Sequence, residues 1–577
     1  MKFNIKNILS AAAASVVLTA CIGDLDTIPL NPTDVTSEVA YGNNELAYLE
    51  GLTKIYAQFA SNDTKNLIVD DPGSSELVRA FWSTQEISTD ACKVGWGNDS
   101  WTQDLNNNTW SPVHNYMIYS VYIRTLQGVA YVNEFLRQTS PDKLTMRGVS
   151  AELAAKIEGY RAEARFLRAY FYWMAFDSFG NVPFSVEDTP IGGGNNPPQT
   201  ARAEVFNFIV NELEALAADG SAMPEAQKNY PRADKGSCLG LLARLYLNAK
   251  VYTGTEMYAK AKATCERIYA LGKYSICPDY AALFRGDNGE NAQAKSEFLF
   301  AVAYDSEQTK SYGGTTFLNL AAVASEDGGN QWWTIIGTKG GDIAWAGIRT
   351  THEYASKYFG VKNPRYNYDP GLACTTADLL TRDLGYDVED NRGRLFYING
   401  RQEKISDAEE LYIFLHGWSC LKFNNHPHNM DAAAFEEESK KNTNSDIDFP
   451  LIRLGEIHLI YAEACMHAGG DASAQLAELA SRAGVAATTQ SGVNQEWLVA
   501  ERARELMWEG HRRTDLVRYG LFTSGNFLWP FKGGVAAGKA LGDHMNVFAI
   551  PKTEREGNPD LVQNPRYVEL SHKPFIK

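Results

Sequence analysis

Glu505 and Glu509 stand four residues apart in "ELMWEG", with Arg502, Arg504, Arg512 and Arg513 on either side. Paired carboxylates are what glycoside hydrolysis needs. Four flanking guanidiniums instead predict a salt-bridged helix, because opposite charges at this spacing attract along one face. "THEY" supplies His352 and Glu353 but lacks the second histidine of a zinc-protease helix. His426 and His428 in "NNHPHNM" have a spacing that suits a metal, yet no other ligand types stand nearby, so a polar surface loop is expected. "GDNGEN", residues 286–291, sets oxygen ligands in a turn without the bidentate acid of a calcium loop, and reads as a plain turn. No phosphate-cradling glycine loop and no nucleophile elbow occurs. The sequence predicts no catalytic residue, no metal and no cofactor.

Aromatic residues are the stronger signal. The chain has 12 Trp, 29 Tyr and 26 Phe, and several of the tryptophans fall in Gly/Asn-rich stretches outside any helical pattern. Aromatics on a helix stripe are explained by packing; aromatics in loops call for a partner. A formal charge of −16 argues against nucleic acid and anionic lipid headgroups and favours a neutral ligand. A pyranose ring fits that description: aromatic rings cover its C–H face while Arg, Asn and Asp take its hydroxyls. The eight cysteines are widely spaced with no Cys-x-x-Cys pair, which predicts neither a disulfide framework nor a zinc site.

The N-terminus reads as an export leader: Lys2 and Lys6, an apolar run from Ile8, then small residues. That run is too short to span a bilayer. It ends on Leu18-Thr19-Ala20-Cys21, which looks like a bacterial lipobox, so Cys21 is expected to carry the lipid that anchors the mature chain.

The elements that must position the loops follow from periodicity. Helices are expected from about Glu38 to Ala60, over "VHNYMIYSVYIRTLQGVAYVNEFLRQ", over "AELAAKIEGYRAEARFLRAYFYWMAFDSFG" stopped by Gly180, and over "AEVFNFIVNELEALAADG". "ADKGSCLGLLARLYLNAKVYTG" and "EMYAKAKATCERIYALGK" resemble a tetratricopeptide pair, with Ala243, Ala249, Ala259 and Ala261 at the crossing. Residues 70–112 read as a loop. From Cys277 to Asp448 the texture is irregular, with strand-like "EFLFAVAYD" and "GRLFYING" and helical pattern only in "GIRTTHEYASKYFG". Helices resume in "FPLIRLGEIHLIYAEACMHAGG", "DASAQLAELASRAG" and "NQEWLVAERARELMWEGHRRTDLVRYG", and an extended tail closes the chain. The expected fold is mainly α: a tetratricopeptide-like helical array (an α-α superhelix) with an irregular, loop-rich lobe containing short strands. The expected organisation is leader 1–20, tether 21–40, scaffold 41–276 carrying a binding loop at 70–112, irregular binding lobe 277–448, and C-terminal helices with tail 449–577.

Several of these segments, in this order, resemble the SusD/RagB family of outer-membrane lipoproteins: the lipobox, "RAEARFLRAYFYWMAFDSFGNVPF", "YPRADKGSCLGLLARLYLNAKVY", "FPLIRLGEIHLIYAEA", "ERARELMWEGHRRTDLVRYG" and "IPKTEREGNPDLVQNPRY". "STDACKVGW", "TKSYGGTTF" and "WAGIRTTHEYASKYF" are most similar to its starch-binding founder. The resemblance implies a non-enzymatic, outward-facing outer-membrane protein that captures polysaccharide and delivers it to a SusC-like TonB-dependent transporter. It implies an arc of Trp96, Tyr312 and Trp345 around an α-glucan, with Arg79 as polar partner. Val94 and Asp99 depart from the founder's Trp and Asn, and Asn98, Trp101, Trp332 and Trp333 stand close enough in sequence to reshape the site. Another neutral glycan (a β-glucan or fructan) is the alternative ligand; a surface hydrolase or a peptide-binding adaptor is the alternative class.

Overall fold

The computed structural model describes residues 40–62, 73–97, 99–113, 115–192, 196–322, 345–361, 388–397, 404–407, 409–413, 416–428 and 444–567. The leader, the tether with Cys21, Asn98, Trp332 and Trp333 lie outside the described residues. Among the described residues no helix is long and apolar enough to cross a membrane.

The molecule is mainly helical and tetratricopeptide-like. Its axis is Ala151–Phe179, capped by Ser150, whose side chain accepts from the Leu153 amide, and closed at Gly180 with φ of 75°. Every residue from Phe166 to Phe179 is buried, because neighbours surround this half of the helix. Tyr116–Gln138 lies against it at Gly128, where an added Cβ would come within 2.7 Å of the Phe171 ring; only glycine permits that approach. Arg202–Leu216 and Glu45–Tyr56 cover further faces. Next come Lys235–Leu247, entered through an Asp234/Ser237 capping box, then Tyr258–Ala270, then Leu454–Ala468. The C-terminal helices thus return onto the N-terminal array. Ala243, Ala249 and Ala261 are buried as the tetratricopeptide pattern requires, but Ala259 faces outward.

The structure corrects several expectations. Among the described residues, the stretch expected as one helix from Glu38 to Ala60 is helical at Ala40 and Tyr41 and again over Glu45–Tyr56, with a turn between. The stretch 70–112 contains helices Leu77–Glu86 and Ser100–Asn107. Leu77–Glu86 is only ten residues long and stands among Gly-, Asn- and Asp-rich stretches that read as loop; its polar residues, Arg79 and Glu86 among them, are buried with the rest. Gly314–Ala321, eight residues in the irregular lobe, is likewise too short for its period to stand out. "FPLIR" is a strand, Phe449–Arg453, pairing antiparallel with Phe298–Val302 before the helix begins at Leu454. The long helix expected after Asn494 breaks into Gln495–Glu505 and Arg512–Arg518, with Trp508 at φ of 60° and Gly510 at 80° between them. The C-terminal tail wraps the body as expected: Asn564 Nδ2 donates to the carbonyls of Phe179 and Phe548 at 2.9 and 2.7 Å.

Glu505 and Glu509 are ion-paired, but with distant partners rather than the arginines beside them. Arg453 reaches Glu297 at 2.8 Å and Glu509 at 2.6 Å, and also pairs with Glu505. Arg392 reaches Asp390, Glu501 and Glu505 at 2.6, 2.8 and 2.7 Å. Arg482 holds Glu297 at 2.7 Å and also contacts Glu505, while Lys422 meets Glu509 at 2.7 Å. Arg502 and Arg512 turn instead to Asp515 and Asp90, at 2.8 and 2.7 Å. Burial alone pushes the Glu505 carboxyl up; Arg482, Arg453 and Arg392 outweigh it and hold the group well below its ordinary range.

Replacing Arg453 with Met leaves three carboxylates buried with fewer cations and is expected to destabilise the fold by about 3–5 kcal/mol, read from the urea midpoint. The depressed pKa of Glu505, and that of Glu456 held at about 2 by Arg244 against the opposing push of burial, carry a pH signature. Their stabilisation is complete above the unfolded value near 4.5 and is lost as pH falls through the folded values. Tm is therefore expected to fall steadily as the pH is lowered below about 4.5.

Candidate functional site

A two-residue ribbon assembles the aromatic site. Lys93 pairs with Arg349 and Val94 with Ile348, antiparallel, and the Gly95 amide continues the ladder by donating to the Gly347 carbonyl at 2.7 Å. Running that register forward brings Trp96 beside Trp345, 249 positions away, and the Trp96 indole donates to the Trp345 carbonyl at 3.4 Å. An added Cβ on Gly347 would lie 2.3 Å from the Trp96 indole, so glycine is needed there to seat the ring. Ala346, between Trp345 and Gly347, is held at φ of 43°, a conformation that costs a non-glycine residue energy and persists only where surroundings impose it.

The Gly314–Ala321 helix is the second support. Tyr312 stands just before its first turn, and the Trp345 amide donates to the Leu320 carbonyl near its end at 2.9 Å. The Tyr312 and Trp345 rings meet at 5.8 Å and are inclined by 58°. Tyr312 is 39% exposed, while Trp345 and Trp96 are half-buried. Trp96 leans on Phe317 of the same helix at 6.0 Å and on Trp101 at 6.5 Å. It is thus both a core-packing ring and a member of the surface cluster.

The sequence-predicted residues separate into two layers. Trp96, Tyr312 and Trp345 come together at the surface; Asp99 is exposed beside them at the N-cap of Ser100–Asn107. Arg79 is not among the surface groups. It is 4% exposed, its guanidinium lies 4.1 Å over the Phe317 ring, and Nη1 donates to the Tyr312 carbonyl at 3.4 Å. Its place is beneath the arc, holding the backbone of an arc residue. Val94 is buried in the ribbon, so this position adds nothing to the exposed surface.

Sequence reasoning missed Tyr412. Its ring packs on Gly97, where an added Cβ would be 2.8 Å away, and it is half-buried beside the Trp96 loop. The buried Arg349 keeps it there by donating to the carbonyls of Leu411 and His416 at 2.5 and 2.8 Å. Burial without a carboxylate pulls the Arg349 pKa down to about 9. Nothing in "ELYIFLHGW" marks this tyrosine; the contact depends on pairing across more than 300 residues of chain.

The remaining motifs are structural. Asn288 of "GDNGEN" is buried and donates to the Leu283 and Asp448 carbonyls at 2.8 and 2.9 Å. His426 is fully buried, not part of a surface loop, and its carbonyl accepts from the Gly286 amide at 3.3 Å. Among the described residues no group of three or more His, Cys, Asp or Glu is placed to hold a metal ion.

The helical scaffold thus carries a partly exposed cluster of aromatic rings assembled from separate segments. Comparison with known proteins identifies the family. The model of the SusD family matches residues 414–567. The chain is 31% identical over 584 aligned residues to the starch-binding protein SusD of Bacteroides thetaiotaomicron, covering 98% of this chain and 99% of that one. The protein therefore belongs to the SusD family of glycan-binding proteins. Solved structures agree in fold: surface glycan-binding protein A of Bacteroides uniformis superposes with a TM-score of 0.65 at 19% identity, covering 90% of this chain and 99% of the other. The corresponding protein of Bacteroides thetaiotaomicron, in complex with laminarihexaose, gives 0.60 at 18% identity, covering 90% and 98%.

Gly347→Ala is expected to displace the Trp96 indole and lower stability by about 1–3 kcal/mol, since the ring is backed by Phe317 and Trp101 and has little room to retreat. Thermal denaturation measures the loss, and a crystal structure of the variant would locate the moved ring.

Proposed function

We propose that this protein is a non-catalytic, lipid-anchored surface protein that holds a starch-type α-glucan on Trp96, Tyr312 and Trp345 and passes it to a SusC-like TonB-dependent transporter. The observation that carries the reading is the inclined pair of rings, Tyr312 and Trp345, brought to one surface from separate segments and 5.8 Å apart. Each ring face can cover the apolar side of one pyranose. Rings inclined by 58° favour a chain that curves between successive sugars, as α-1,4-glucans do; a flat chain would need coplanar rings. Asp99, exposed beside the Trp96 loop, offers a hydroxyl partner at the rim. Full-length similarity to a protein named for starch binding supports the same ligand. Contacts of this kind are individually weak, and repetition along the polysaccharide makes capture effective.

Affinity electrophoresis in native gels tests this. Amylopectin is expected to retard the leaderless protein, and Tyr312→Ala or Trp345→Ala to weaken binding about tenfold, the loss of roughly 1.4 kcal/mol of stacking, with Tm unchanged. Retardation by a β-glucan, levan or xylan instead would keep the role and replace the ligand; release of reducing sugar from any of them would overturn the non-catalytic reading. For the anchor, Cys21→Ala is expected to leave the chain out of the outer-membrane fraction, and unchanged fractionation would exclude lipidation at Cys21.

A further inference from the structure

Beneath the arc lies a carboxylate that touches no solvent. Glu76, 0% exposed, stands at the N-cap of Leu77–Glu86. Its Oε1 accepts from the Tyr304 hydroxyl at 2.6 Å, and its Oε2 accepts from the Ser311 hydroxyl. The Ser311 oxygen in turn accepts from the Gly313 amide at 2.9 Å. Glu76 is therefore wired to both residues flanking Tyr312, and Arg79, one helical turn on, donates to the Tyr312 carbonyl itself. Steric fit makes the clamp close. An added Cβ on Gly313 would lie 2.3 Å from Glu76 Oε2, and one on Gly314 would lie 2.5 Å from Oε1. From the other side, Gly73 at φ of 88° rests against the Tyr312 backbone.

We propose that Glu76 is a positioning residue for the glycan site: through Ser311 it fixes the backbone that carries Tyr312, and so sets the angle between the Tyr312 and Trp345 rings. This rests on the glycan-binding reading above. Glu76 reaches no ligand, so its effect passes wholly through the 311–314 segment.

The arrangement has a pH consequence. Burial raises the Glu76 carboxyl to about 7, against the opposing pull of Ser311, Tyr304, Arg79 and, from the Tyr116–Gln138 helix, Arg124. Both hydroxyl bonds favour the ionised carboxylate, but burial outweighs them. The closed clamp is therefore most stable when Glu76 is protonated, one oxygen then donating to a hydroxyl instead of accepting, and it loosens as pH rises from about 4.5 through about 7. A neutral glycan does not titrate in this range, so any change in affinity must come from the protein.

The experiment measures amylopectin affinity of the leaderless protein at pH about 5.5 and about 8.5, alongside the hydrogen-exchange protection factor of the Gly313 amide, in wild type, Glu76→Gln and Ser311→Ala. Wild type is expected to bind about threefold or more weakly at the higher pH and to lose Gly313 protection in parallel. Glu76→Gln, which mimics the protonated acid, is expected to show neither change with pH. Ser311→Ala is expected to bind weakly at both pH values with Tm retained. Wild-type affinity and protection independent of pH, with both variants matching wild type, would overturn the proposal. Should Glu76→Gln fail to fold, the wild-type pH series and Ser311→Ala still decide. If wild type binds no polysaccharide, the glycan reading falls, and Gly313 protection alone decides whether the clamp exists.

Discussion

The fold depends on one buried electrostatic knot. Glu297 precedes strand Phe298–Val302, Arg453 closes the strand paired with it, Glu505 ends the helix before the break in the C-terminal helical stretch and Glu509 lies within that break, and Arg392, Lys422 and Arg482 arrive from three further segments. Each of these charges is almost fully removed from water, where an unpaired ion would be prohibitive. The knot therefore tolerates one arrangement of the segments and penalises the others. That property matters more than any net stabilisation, because a loop-rich lobe has few long elements to define its register by packing alone. The break between Glu505 and Arg512 belongs to the same logic. A continuous helix would carry Glu509 round with its turn, whereas Trp508 at φ of 60° sends the chain back so that Glu509 meets Arg453 and Lys422.

Once the lobe is fixed against the helical array, the aromatic site follows from short contacts. Strand Phe298–Val302 leads on to Tyr304, Ser311 and Tyr312, which settle on the N-terminal end of Leu77–Glu86. The Gly314–Ala321 helix then lies across that helix, with Phe317 touching both the Arg79 guanidinium and the Trp96 ring. Two residues of ribbon complete the join between Trp96 and Trp345. None of these pieces would hold its shape in isolation: a two-residue ribbon and an eight-residue helix are far below the size of independently stable elements. They are stable because the knot and the array leave them nowhere else to go.

How far this was legible in the sequence follows from the same physics. Tyr116–Gln138 and Ala151–Phe179 were plain because their outer turns alternate apolar and polar residues at helical spacing and end in recognisable stops. Leu77–Glu86 and Gly314–Ala321 were not, since ten and eight residues span barely two to three turns and both are set in loop-like sequence. The apolar run "FPLIR" carries no period that separates strand from helix, and its partner strand lies some 150 residues away in sequence. The aromatic cluster was reached through loop tryptophans and family resemblance, which named the rings but not their layering. Arg79 entered as a polar partner through the family resemblance; only its stacking on Phe317 and its bond to the Tyr312 carbonyl reveal a support. Glu76 gave no signal at all, because a glutamate before a helix is ordinary until the chain that covers it is known.

If the aromatic cluster is the glycan site proposed above, its layering gives a weakly stacking surface a means of selecting its ligand. Stacking on a ring is nearly indifferent to which hexose is offered, since every pyranose has an apolar face. Discrimination must then reside in the angle and spacing between rings, and that geometry is only as sharp as the backbone beneath it. Tyr312 is the most exposed ring of the cluster and would be the freest if it rested on solvent-facing loop alone. Its carbonyl, the hydroxyl before it and the amide after it are each tied to buried groups on one helix, directly or through Ser311. On the proposed reading, the exposed layer offers broad affinity for sugars, while the buried layer, which never meets a sugar, determines which chain shape can use it.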